Sequence, residues 1–171
     1  HTELRLGIGV HTGAVQVGNA GSARKVKYGP RGPNVNLATR VEAATKELQL
    51  PFLATRDTVD RLSNQLTANR VCRAQMPGLQ QAVDLYAVAQ LSDDQSTKRA
   101  WQSYDEALRY FEQGELDAAS ETLALVDEFI GLVPKRFLHD RIICERGRNL
   151  QRRNSDKPTS LSAGVIPLVA K

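Results

Sequence analysis

The sequence predicts an α+β segment followed by a purely helical one. Three observations carry that reading. Apolar and polar residues alternate with a period of two before residue 19 and again after residue 81. A helical period interrupts them between residues 34 and 50, and it becomes the sole period after residue 98. Seven of the twelve glycines fall before residue 33, a density that signals tight turns or close backbone approach.

The elements follow in order. Leu4–Val10 reads as a strand, with Leu4, Leu6, Ile8 and Val10 alternating against Arg5, Gly7 and Gly9. His11-Thr12-Gly13 reads as a turn, and Ala14–Gly18 as a second strand completing a hairpin with the first. Residues 19–34 read as a loop or short strand. Asn34 is expected to open a helix as its N-cap, with Leu37, Val41, Ala44 and Leu48 as the buried stripe and Pro51 as the stop. A short buried strand at Pro51–Thr55 and a helix over Asp57–Leu62 follow. Asn69–Met76 and Ala82–Ala89 read as strands around the turn Pro77-Gly78.

Four segments result: 1–91 as the α+β part, 92–98 as a polar linker, 99–150 as a helical extension and 151–171 as a disordered tail. In the extension, Trp101, Tyr104, Leu108 and Phe111 form one stripe, and Leu116, Ala119, Leu123 and Val126 a second. Gly114 separates them, so the pair reads as an antiparallel helical hairpin. A third helix is expected from Lys135 to Gly147. Val165–Val169 stands out in the tail as a small apolar patch without an assigned role.

Composition excludes several classes. Apolar residues at 41% and charged residues at 25% suit a soluble globular chain, not a collagen-like, coiled-coil or wholly disordered one. No apolar run is long enough to span a membrane. Cys72 and Cys144 are far apart, which suits a reducing compartment better than a disulfide framework. The net charge of +4 resides entirely in residues 1–32. A basic patch beside glycine-rich backbone points to a phosphate-bearing partner or to a solvated edge. A nucleic-acid interface is not expected, because that segment lacks aromatic stacking platforms.

Chemistry concentrates at one pair. Asn36 and Arg40 lie four residues apart on the first helix and share a face. An amide beside a guanidinium can orient a sugar or phosphate oxygen and stabilise charge on a phosphoryl group. The competing reading is a solvent-facing polar pair, with Arg40 matched to Glu47 or Asp57. His11, at a strand end and remote from any Cys or Ser constellation, reads as structural. Gly7 to Gly13 has the wrong spacing for a dinucleotide fingerprint, and no P-loop is present.

"RLGIGVHTGAVQVGNAGS", then "VKYGPRGPNVNLATRVEAATK" and the closing strand "AVDLYAV", resemble the class III adenylate/guanylate cyclase catalytic domain over residues 3–91. The resemblance implies the C-terminal half of a ferredoxin-like cyclase domain. It implies conversion of ATP or GTP to the 3′,5′-cyclic nucleotide and pyrophosphate for signal transduction. Asn36 and Arg40 match the family's Asn-x-x-x-Arg pair, which implies that Asn36 positions the ribose and Arg40 stabilises the pentavalent α-phosphate. Arg73 is the weaker carry-over, a substitute for a basic triphosphate contact, because Pro77 stands about where the family often has Lys. Gly29 occupies a position that often selects the purine, so purine choice is open.

Two divalent ions, Mg or Mn, are implied as cofactors, but the family's metal aspartates and purine-contacting Lys lie upstream of His1. The chain therefore reads as a piece of a longer protein, expected to be inactive alone and to work in a homodimer with sites across the interface. A cytoplasmic location is expected, with any membrane anchor in absent upstream segments. The rival reading is a catalytically inactive cyclase-like module for dimerisation or regulation. Finally, "W..Y.EAL.YFEQGELDAA" in the extension resembles a tetratricopeptide-type helix pair.

Overall fold

The structure is a computed structural model that describes residues 6–22, 25–126, 132–152 and 164–168. A five-stranded sheet runs in the order β1 (Ile8–Val10), β4 (Phe52–Thr55), β6 (Val83–Gln90), β5 (Leu66–Gln75), β7 (Val165–Pro167). β1 and β4 are parallel, β4–β6 and β6–β5 are antiparallel, and β7 lies parallel to β5. A separate ribbon pairs β2 (Gln16–Ser22) with β3 (Lys25–Arg31). The helices are α1 (Pro33–Leu48), α2 (Arg56–Val59), α3 (Gln95–Gln113), α4 (Leu116–Ala124) and α5 (Leu132–Arg152).

The expected hairpin between the first two strands is not formed. The alternation that marks Ile8–Val10 as a strand does not say which strand it pairs with. β1 gives its hydrogen-bonding edge to β4, with Gly9 opposite Leu53. Beyond Val10 the chain is held down instead of turning back, because His11 bonds Thr55 and Thr12 bonds Thr58. The ribbon then forms from residues 16–31, including the stretch expected to be loop. It leaves Val17, Val26 and Tyr28 exposed.

α1 connects β1 to its parallel neighbour β4 and packs across both. It begins with Pro33 at its first turn, after Gly32 at φ 123°. Asn34 is therefore inside the helix and not its N-cap, a correction to the sequence reading. Its side chain is used for a tertiary bond, described below. The helix ends where Gln49 adopts a left-handed conformation, φ 51°. Val41, Ala44, Thr45 and Leu48 are buried. Gly9 is required by this packing: a Cβ there would lie 2.0 Å from the Glu42 amide nitrogen. Helix backbone thus rests directly on strand backbone.

The helical region shares its core with the sheet. Val41, Leu48, Leu53, Val71, Leu85, Tyr104, Leu108, Leu123, Leu138, Ile142 and Ile166 belong to one buried cluster. The Tyr104 hydroxyl donates to the Val71 carbonyl at 2.8 Å, at the point where a bulge at Arg70–Cys72 interrupts β5 pairing. Arg70 donates to both carboxylate oxygens of Glu112 on α3 and to Asp84 on β6. Arg141 on α5 pairs with Glu47 on α1 at 3.0 Å.

Two further expectations are corrected. The polar linker over 92–98 is shorter than anticipated, because Asp94 caps α3 and accepts from the Ser96 and Thr97 amides. Within the expected disordered tail, Val165–Pro167 forms β7, and Ile166 and Leu168 are buried. An open β5 edge and an apolar core face explain why this short patch orders. Residues 153–163 and 169–171 of that tail lie outside the described residues, as do Leu4 and Arg5 of the first strand.

Candidate active site

The site is built at the N-terminal half of α1. Asn36 is exposed and Arg40 is half-buried one turn later on the same face. Among the described residues neither side chain has a hydrogen-bond or ion-pair partner. Of the two partners that a bland reading would give Arg40, one is engaged elsewhere and the other sits beside His11. Glu47 pairs with Arg141, and Asp57 lies 3.8 Å from His11. A guanidinium and an amide are thus held on one helix face with their donors uncommitted, which suits an anionic, oxygen-rich ligand.

The second wall is the turn between β5 and β6. Gly78, at φ 70°, brings its backbone against Arg40: a Cβ there would stand 3.0 Å from a terminal guanidinium nitrogen. The Leu79 amide donates to the Met76 carbonyl at 3.1 Å, and the Gln75 side chain donates to the Leu79 carbonyl. This turn was legible as Pro77-Gly78, but its proximity to Arg40 was not, since 38 positions separate the two residues.

Arg73, the weaker candidate, is placed differently. It is exposed on β5, between Asp84 of β6 and Val165 of β7, while its neighbour Ala74 is buried in the core cluster with α1 residues Val41 and Leu48. Strand alternation therefore directs Arg73 away from the face on which α1 packs. The structure brings Asn36 and Arg40 together and leaves Arg73 apart from them.

His11 has a supporting place. Its ring is nearly buried, with Nδ1 2.8 Å from the Thr55 hydroxyl and Nε2 3.2 Å from Asn34 Oδ1. The Asn34 amide nitrogen donates to the Ala14 carbonyl at 2.7 Å, which assigns Oδ1 as the acceptor and Nε2 as a donor. His11 thereby ties the end of β1 and the β4–α2 junction to the first turn of α1. Asn36 lies two residues further along that helix.

No group of three His, Cys, Asp or Glu side chains that could hold a metal ion occurs among the described residues. No described helix is long and apolar enough to cross a membrane.

This geometry coincides with a sequence match: residues 1–90 match the family of the adenylate and guanylate cyclase catalytic domain. The chain belongs to that family. It is also similar to Adenylate cyclase 1 of Rhizobium meliloti (strain 1021), with 30% identity over 86 residues. That alignment covers 50% of this chain and 13% of the relative. No solved structure matches the chain. In this cyclase-family domain both Asn36 and Arg40 fall within the matched region, whereas α3, α4, α5 and β7 lie beyond it.

Proposed function

We propose that this domain serves a nucleotide cyclase, closing ATP or GTP to the 3′,5′-cyclic nucleotide with release of pyrophosphate. The observation that carries the proposal is the Asn36–Arg40 pair, set on one face of a helix packed on β1 and without side-chain partners among the described residues. In the reaction the ribose 3′-hydroxyl releases its proton to solvent and its oxygen attacks the α-phosphorus as the bond to the pyrophosphate oxygen breaks. Such a step needs positioning and charge stabilisation more than covalent help from the protein. Asn36 orients the ribose through its amide. Arg40 donates to the non-bridging α-phosphate oxygens as charge builds on them.

Family membership implies two divalent ions, and no group of three His, Cys, Asp or Glu side chains gathers among the described residues. The reading therefore assigns this chain the ribose and phosphate contacts and leaves metal binding to residues elsewhere, in a homodimer whose sites lie across the interface. Arg73 stays the weaker candidate and is assigned no contact in this reading, because strand alternation faces it away from α1.

The test is made in the full-length protein with both ATP and GTP, which also settles the purine. Arg40→Ala is expected to lower turnover by about two to three orders of magnitude, the usual loss for one transition-state donor. Asn36→Ala should fall in the same direction. A loss below about fivefold for Arg40→Ala would remove its assigned role. An unsubstituted protein that dimerises but turns over neither nucleotide would favour an inactive regulatory module instead.

A further inference from the structure

We propose that β7 is a strap that holds the β5–β6 turn in place against Arg40, making Gln75 a positioning residue for the reaction. The inference deepens the cyclase reading and rests on it for its catalytic part. β7 lies beyond the family-matched residues, so family membership does not account for it.

The strap is fastened at both ends. At its start, Gly164 has φ 81°, and a Cβ there would lie 2.4 Å from the Glu112 Cα. Only glycine allows the chain to pass so close to α3. Glu112 is itself held by Arg70 of β5 through two hydrogen bonds. In the middle, Arg73, Ala74 and Gln75 pair with Val165, Ile166 and Pro167, and Ile166 is 1% exposed. At its end, the Leu168 amide donates to the Gln75 carbonyl at 3.1 Å.

Gln75 is the shared residue. Its backbone carbonyl receives the strap, and its side-chain amide donates to Leu79 in the turn. Between them, Met76 is buried, and Gly78 leaves so little room beside Arg40 that a Cβ there would stand 3.0 Å from its guanidinium. A continuous chain of contacts therefore runs from α3 through β7 and Gln75 to Arg40.

The experiment uses the full-length protein with two substitutions, Ile166→Asp to undock the strap and Gln75→Met to cut the link at similar volume. Two readouts are taken: hydrogen exchange at the Leu79 amide, and kcat and KM for the triphosphate. Both variants should speed Leu79 exchange by about tenfold or more. Both should lower kcat about tenfold, the scale of a small misplacement near the reacting atoms, with Gln75→Met melting within a few degrees of the unsubstituted protein.

Unchanged Leu79 exchange in both variants overturns the strap. So does faster exchange with kcat within about twofold of an active parent, since the turn then moves without consequence for Arg40. Loss of melting temperature in Ile166→Asp alone, with exchange and kcat per folded molecule intact, reduces β7 to an edge cover and also overturns the proposal. If the unsubstituted protein makes no cyclic nucleotide while Leu79 exchange still responds to both variants, the cyclase reading fails and the strap's hold on the turn stands.

Discussion

Arg70 shows how a single residue fastens two regions of this chain. Its side chain is only 18% exposed, with Asp84 on one side and Glu112 on the other. Burial acts against its charge, but the hydrogen bonds it donates to Glu112 and Asp84, with their negative charge, outweigh that and raise its pKa above the ordinary arginine value. Removing the cation leaves two carboxylates facing each other with no donor between them. Breaking a fully buried pair in this way costs about 3–5 kcal/mol. Here the carboxylates keep some contact with water, so Arg70→Met should cost about 2 kcal/mol by urea denaturation. The double variant Arg70→Met, Glu112→Leu should recover part of that loss, because one stranded charge is gone. A double variant no more stable than the single would mean that the carboxylates were not the source of the cost. None of this triad was legible in the sequence, because its partners lie 14 and 42 positions away. The Asn36–Arg40 pair was legible for the opposite reason: its geometry is set by one turn of one helix.

Among the elements, β5 illustrates what patterning reveals and what it hides. Its alternation and the following Pro77-Gly78 marked it as a strand. The bulge at Arg70–Cys72 and the partner on its outer edge were invisible, since both depend on residues distant in sequence. β1 failed in the same way: its period was read correctly, but its pairing with β4 depends on α1 lying over Gly9. The bulge is tied down by the Tyr104 hydroxyl, which reaches the Val71 carbonyl from α3 inside the core. Tyr104→Phe removes that donor while keeping the ring, so the buried carbonyl loses its side-chain partner. The expected cost is about 1–2 kcal/mol in chemical denaturation, the usual range for an unsatisfied buried acceptor. Under the proposed cyclase reading, turnover of the full-length protein should stay near that of the unsubstituted form, because no bond from the bulge to Asn36 or Arg40 is formed among the described residues. A cost near zero would show that the bulge is held by the strand pairing alone.

For the molecule as a whole, the central question is whether the family-matched part and the helices are one cooperative body. The sequence separates them by a change of period and a polar segment, and periodicity carries no information about docking between elements. The structure joins them through one core, in which Cys72 of β5 is buried beside residues of α1, α3 and α5. Cys72 therefore serves as a reporter. Burial is the main cause that pushes its thiol up to about 12, so at neutral pH it is protonated as well as shielded. Cys144 on α5 is exposed and supplies an internal control. A thiol reagent at neutral pH should modify Cys144 promptly and leave Cys72 untouched. Across a urea titration, Cys72 labelling should then rise together with loss of the circular-dichroism signal, because undocking the helices removes one side of its surroundings only when the shared core is lost. Labelling of Cys72 well below the main transition would show that the helices detach as a separate unit. In that event the Arg70–Glu112 and Tyr104–Val71 bonds would be too weak to couple the two regions, and the strap at β7 could not transmit from α3 to the turn at Arg40.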